Sequence, residues 1–147
     1  MASRVHVVKR SSLSLQKQLA LLGQLFPQGR GSVRNGRLRW CCEVSPSPLS
    51  LQYLIELEYS WSGIPRVYVS KGELLGLESF DAVPHQYPNR TTESRICVCL
   101  NRLPWDSSTV IAKTLIPWAV EWIAHFEVWL VSGEWTGSGI HNGKIET

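Results

Sequence analysis

No run of apolar residues in this sequence is long enough to cross a membrane or to serve as a secretion signal; the opening Met1–Arg10 sets its charges around a short Val-His-Val-Val. Absence of export implies a reducing compartment. The cytoplasm is therefore expected, with no membrane partner, and the four cysteines (Cys41, Cys42, Cys97 and Cys99) read as thiols. Their spacing fits no common zinc site, since adjacent cysteines rarely ligate together, so no metal is expected and nothing calls for a cofactor. There is no glycine-rich nucleotide loop, which excludes adenylation of a carboxyl group by this chain. Charge is sparse, at 18% of residues and a net +3. The basic group Arg30, Arg34, Arg37 and Arg39 alternates with Gly and Ser and meets no aromatic before Trp40, so no nucleic-acid partner is expected. The last residue is Thr147, not glycine, which speaks against the chain being itself a conjugated carrier.

What is present is enough for a core. A length of 147 residues with 44% apolar content suits one globular domain, 1–147, with its core over about 11–141. Tryptophan is abundant, and Trp105, Trp118, Trp122, Trp129 and Trp135 crowd the last third, first as core and second as partner surface. Ser11–Phe26 reads as a helix: Ser12 or Ser14 can cap it, and Leu15, Leu19, Leu22 and Phe26 recur at helical spacing before Pro27 and Gly29. Gly29–Gly36 reads as a loop. Arg37–Val44, Gln52–Ser60 and Arg66–Ser70 read as strands of an antiparallel meander, most clearly where Tyr53, Ile55, Leu57 and Tyr59 alternate with polar neighbours. The Ser45-Pro46-Ser47-Pro48 run is a connection. Ser107–Val131 reads as a second helix with Ile111, Leu115, Trp118, Trp122, Phe126 and Trp129 on one face, kinked or begun at Pro117 and stopped at Gly133. The Gly-rich tail from Trp135 reads as loop. The fold class is α+β, with both helices packed on the meander.

The stretch Pro84–Trp105 organises the rest. A proline-bracketed turn, Pro84-His85-Gln86-Tyr87-Pro88, carries a histidine; a polar run Asn89–Arg95 follows; then Cys97 sits between Ile96 and Val98. The irregular segment Lys71–Arg95 before it is long for a compact domain and is read as functional. A nucleophilic cysteine needs a thiolate, some exposure and groups that stabilise an oxyanion, and a rigid turn bearing a histidine can supply these. The competing reading of Cys97 is a small buried hydrophobe. A cysteine hydrolase lacks a recognisable orienting Asp or Asn. His125, within the Trp-rich helix, reads as a packed core histidine.

The order of these parts resembles the ubiquitin-conjugating enzyme fold, and more closely the stand-alone ubiquitin-conjugating-like proteins of bacterial CBASS antiphage operons. The residues that carry the resemblance are Phe26-Pro27-x-Gly29, Leu38-x-Trp40, Pro46-Ser47-Pro48, Pro84-His85-x-Tyr87, Arg95-Ile96-Cys97, Ile116-Pro117-Trp118-Ala119-x-Glu121-Trp122 and Gly133-Glu134-Trp135-Thr136-Gly137, from about Leu19 to His141. The resemblance implies that Cys97 takes the C-terminal acyl group of a partner as a thioester and passes it to an amine, with Cys99 as the second choice of nucleophile. It also implies a role for His85 in holding the turn. His85-Gln86-Tyr87-Pro88 replaces the His-Pro-Asn of eukaryotic members and displaces Asn89. The oxyanion group is then Asn89, Asn101, His85 or backbone amides, and His141 either reaches the site or is exposed. The partner implied is a cGAS-like nucleotidyltransferase whose C-terminus is the acyl donor, with lysine-bearing proteins as targets. The alternative is a non-catalytic binding module of the same fold. The catalytic reading expects Cys97 partly exposed and within reach of His85 or Asn89.

Overall fold

The computed structural model describes residues 12–70, 77, 79–100, 104–137, 139–141 and 144–146. The first helix, α1 (Leu15–Leu25), begins where Ser14 accepts a hydrogen bond from the Lys17 amide at 3.0 Å. That is an N-cap, satisfying a donor which the first helical turn leaves open. Its inward face carries Leu15, Leu22 and Gln18, all buried. Gln18 is the informative member. Its Nε2 donates to the Thr109 carbonyl at 2.7 Å and its Oε1 accepts from the Ile111 amide at 3.0 Å. A buried amide is stable only when both ends are satisfied, so Gln18 pins α1 to the segment that leads into the second helix.

Five strands form one antiparallel sheet in the order of the chain: β1 (Arg30–Arg34), β2 (Arg37–Val44), β3 (Tyr53–Ser60), β4 (Arg66–Ser70) and β5 (Ile96–Cys97). The three strands read from the sequence are present. Two more flank them. The expected loop over Gly29–Gly36 is instead β1 and a tight turn, because Asn35 and Gly36 both take positive φ, 51° and 70°, as a two-residue hairpin requires. β5 is only two residues long and owes its place to Tyr68 and Val69, its partners on β4.

Period-2 burial divides β2 and β3 cleanly, whereas in β4 and β5 both faces are covered and Tyr68 and Cys97 are buried too. Leu38, Trp40, Cys42 and Val44 of β2, Tyr53, Ile55, Leu57 and Tyr59 of β3, and Val67 and Val69 of β4 face one core. Against it lie α1 and the long helix α2 (Leu115–Ser132), through Ile116, Ala119, Trp122, Ile123 and Phe126. Each fully buried aliphatic or aromatic side chain contributes roughly 1.5–3 kcal/mol of transfer free energy. The opposite face carries cross-strand rows of polar residues, Arg39–Glu58–Arg66 and, beside it, Cys41–Glu56–Tyr68–Cys97.

The second helix starts later than Ser107. A single 3-10 turn (Ile111–Lys113) precedes it, and α2 opens after Thr114, which puts Pro117 in the first turn. A missing N–H costs nothing there, since first-turn donors have no partner within the helix. Gly133, with φ 76°, ends the helix in the left-handed conformation and donates to the Trp129 carbonyl at 2.8 Å. The tail expected to be loop holds two paired strands, β6 (Gly139–His141) and β7 (Lys144–Glu146). Among the described residues, no helix is long and apolar enough to cross a membrane.

Candidate active site

The His85 turn and the Cys97 strand are brought together by backbone pairing. The Tyr87 amide donates to the Cys97 carbonyl at 2.9 Å, the Cys99 amide donates to the His85 carbonyl at 2.8 Å, and Gln86 bridges Val98 between them. Tyr87 is therefore the direct neighbour of Cys97, and His85 the neighbour of Cys99. On the other side, the Val98 amide donates to the Val67 carbonyl at 2.9 Å, which prolongs the β4–β5 pairing. Continued by two residues from Tyr68 opposite Cys97, that register sets Arg66 opposite Cys99.

The turn itself is locked from several directions. His85 takes φ 53°, a left-handed conformation seldom adopted outside glycine and asparagine. Its carbonyl accepts a second hydrogen bond, from the Trp122 indole N–H at 2.9 Å, which ties the turn to α2. Its ring packs 4.9 Å from that of Trp135. Gln86, buried, donates through Nε2 to the Val83 carbonyl at 2.9 Å and to the Phe80 carbonyl. After Tyr87 the chain makes a helical turn, with the Arg90 and Thr91 amides both donating to the Tyr87 carbonyl. Thr91 then turns its hydroxyl oxygen to accept the Cys97 amide at 3.0 Å. Asn89 lies exposed on this turn.

Cys97 is 1% exposed, against the partial exposure expected of it. It lines a cavity of about 200 Å³ together with Arg66, Tyr87, Arg90, Leu100 and Leu115. Burial pushes its thiol up to about 11, while the positive charges of Arg90, Arg66 and Arg95 pull in the other direction. The guanidinium of Arg90 lies 5.0 Å from the centre of the Tyr87 ring. Arg95 stacks on Tyr68 at 3.6 Å and pairs with Glu56 at 2.6 Å and with Glu58 at 3.5 Å. The Tyr87 phenol is held above its ordinary range, first by burial and then by its hydrogen bond with Cys99. The thiol is thus buried beside a small, cation-flanked chamber.

A family model described as "Type II CBASS E2 protein" matches residues 18–142. The chain belongs to that family. No curated protein matches it. In this CBASS E2 protein, Cys97 and the His85 turn are adjacent through their backbones, whereas the His85 ring is engaged with Trp135. Asn101 lies outside the described residues, as does the side chain of His141 on β6. His125 is a half-buried residue rather than a core one: its ring is 5.8 Å from Trp135, its Nδ1 is 3.1 Å from the Thr136 hydroxyl, and its side chain is 28% exposed. Three participants were given no role by the linear pattern, although Tyr87 stands in the histidine-turn motif. Tyr87, Arg90 and Arg66 converge on Cys97 only after β4 and β5 pair and the turn folds back. The nearest available signal was Tyr87 and Arg90 within ten residues of the thiol.

Proposed function

We propose that this CBASS E2 protein is a ubiquitin-conjugating-like acyltransferase with Cys97 as nucleophile, built on a ubiquitin-conjugating-enzyme-like fold over a single domain. Family membership across residues 18–142 is the observation that carries the reading. The helix, meander, histidine turn, cysteine and long helix succeed one another as that fold requires, and the chamber adds the chemistry. The acyl donor is the C-terminus of a partner, a cGAS-like nucleotidyltransferase, activated by another protein as an acyl-adenylate or thioester. Cys97 Sγ attacks the activated carbonyl carbon. A carbon–sulfur bond forms, the bond to the activating group breaks, and the thiol proton leaves with that group. A lysine amine on a target then attacks the thioester, forming an amide and returning the thiol. In this scheme Arg66 and Arg90 favour the thiolate and the developing oxyanion, Asn89 is a further donor on the same turn, and His85 is a positioning residue.

The closed thiol gives the reaction a precondition. A protonated, covered sulfur is a resting state, and the Tyr87–Arg90 turn has to yield before a donor carbonyl can reach it. The same burial is what favours the second reading, a binding module that engages the nucleotidyltransferase without turnover. Co-expression with the nucleotidyltransferase and the protein that activates its C-terminus separates the two. For the acyltransferase, Cys97→Ser traps an oxyester that survives thiol reductants, because a serine ester is a poorer donor to amines than a thioester. Cys99→Ala leaves the reductant-sensitive adduct in place, and Cys97→Ala removes it. A stable complex with no covalent adduct in any variant selects the binding module.

A further inference from the structure

The Cys97 chamber does not stand alone. Ile64 and Arg66 line both it and a second cleft, of about 270 Å³, on the outer face of the sheet. That cleft is walled by Arg37, Arg39 and Arg66, with Glu58 between Arg39 and Arg66 in the cross-strand row. Arg37, Arg39 and Arg66 are exposed, and none of the three has an ion-pair partner among the described residues, whereas Glu58 is already 3.5 Å from Arg95. Chamber and cleft, adjoining at Ile64 and Arg66, together present four guanidinium groups and one partly engaged carboxylate. Beside them Ile64 is 60% exposed and Trp61 53% exposed on the β3–β4 turn, apolar contacts at the rim of a basic track.

We infer that this track receives the donor's C-terminal tail as an extended peptide, with acidic residues upstream over Arg37 and Arg39 and small residues at the carboxyl end in the Cys97 chamber. The inference rests on the acyl-transfer reading and adds the specificity of its donor. Size sets the carboxyl end: a chamber of about 200 Å³ is below the ~300–1,000 Å³ of typical small-molecule sites and admits a narrow chain rather than a bulky side chain. Strand geometry sets the register. Cys97 on β5 and Arg39 on β2 are three strands apart, and their rows are two residues apart. At ~4.8 Å per strand and ~3.4 Å per residue, the separation is about 16 Å, which about five extended residues cover. The acidic positions are therefore about the fourth to sixth from the carboxyl end.

The experiment uses the full chain and octapeptide sulfonatoethyl thioesters with two small residues at the carboxyl end. Thiol exchange onto Cys97 forms the new thioester, breaks the old one and releases mercaptoethanesulfonate carrying the proton. Acylation is followed by intact mass for peptides with Glu or Lys at the fourth to sixth positions. The Glu peptide is expected to react at least tenfold faster in 20 mM salt, with most of the advantage gone in 0.5 M salt, where screening is strong. The double variant Arg37→Glu/Arg39→Glu, checked for unchanged thermal midpoint, is expected to reverse the preference. Equal rates for the two peptides, or a preference that the double variant leaves intact, overturn the inference while the acyl-transfer reading stands. If neither thioester acylates Cys97, binding of the fluorescein-labelled free-acid peptides is read by anisotropy. An acidic preference lost in the double variant then upholds the track and removes the acyl-transfer reading; no preference overturns the track as well.

Discussion

Tyr87→Ala tests the burial of the thiol, because Tyr87 pairs directly with Cys97 and shares its cavity. With the Cys97 thiol at about 11, roughly 3 × 10⁻⁴ of it is ionised at pH 7.5, against about 10% of a free cysteine near 8.5. The deficit is ~300-fold. A more basic thiolate is also a better nucleophile, and a Brønsted slope of ~0.45 over 2.5 units returns ~13-fold. The net expectation is alkylation of Cys97 about 20-fold slower than a free thiol, before the cover slows it further. Burial is the largest cause of the upward shift. Removing the Tyr87 ring is therefore expected to raise the rate by on the order of tenfold, at a stability cost of about 1–2 kcal/mol. The assay is a timed iodoacetamide reaction, digestion and quantification of the Cys97 peptide, with the half-exposed Cys41 as internal reference. Alkylation of Cys97 at the free-thiol rate in the parent chain would rule out a buried, protonated thiol, and a Tyr87→Ala rate equal to the parent's would rule out Tyr87 as its cover.

Gln18→Leu is expected to cost about 2–3 kcal/mol in chemical unfolding, since it leaves the buried Ile111 N–H and the half-buried Thr109 carbonyl without their partner. Pro117→Ala is expected to change stability by less than about 1 kcal/mol, because a first-turn proline breaks no helical bond and its removal acts mainly through the unfolded chain; a loss of several kcal/mol by the same measurement would contradict that placement. Stability is expected to fall as pH rises between about 8.5 and 11, where the unfolded chain has released the Cys97 proton that the folded chain retains. Above about 10 the raised phenols of Tyr53 and Tyr87 steepen the fall. Urea midpoints at pH 7, 9 and 10 check this, with Cys97→Ala expected to flatten the lower part of the curve.

Legibility in the sequence followed locality. Strand β3 was plain because Tyr53, Ile55, Leu57 and Tyr59 repeat every second residue and each is buried. The Gly133 stop is local chemistry and was legible too, as was a serine cap, which the structure assigns to Ser14 rather than Ser12. Strand β1 was missed because it is an edge strand, exposed along most of its length, with no apolar alternation; its true signal was the Asn35-Gly36 turn. Strand β5 has two residues and exists only because Tyr68 and Val69 lie opposite, a pairing across nearly thirty positions. For the same reason the cations around Cys97 could not be read in advance. Arg66 opens one strand, Arg90 lies on a distant turn, and only the folded sheet sets both beside the thiol. The nearness of the histidine turn to Cys97 was expected, but the backbone pairing that sets Tyr87, not His85, beside Cys97 depends on how the turn folds back, which no local pattern encodes.

The most direct measurement is site-mapped mass spectrometry of the native chain after co-expression with the nucleotidyltransferase and the protein that activates its C-terminus, without reductant. Cys97 is expected to carry the partner's C-terminal acyl group, released by hydroxylamine and absent in Cys97→Ala. A mapped adduct on Cys99 or Cys41 instead, or no acyl group on any cysteine while the two proteins remain bound, would contradict that expectation.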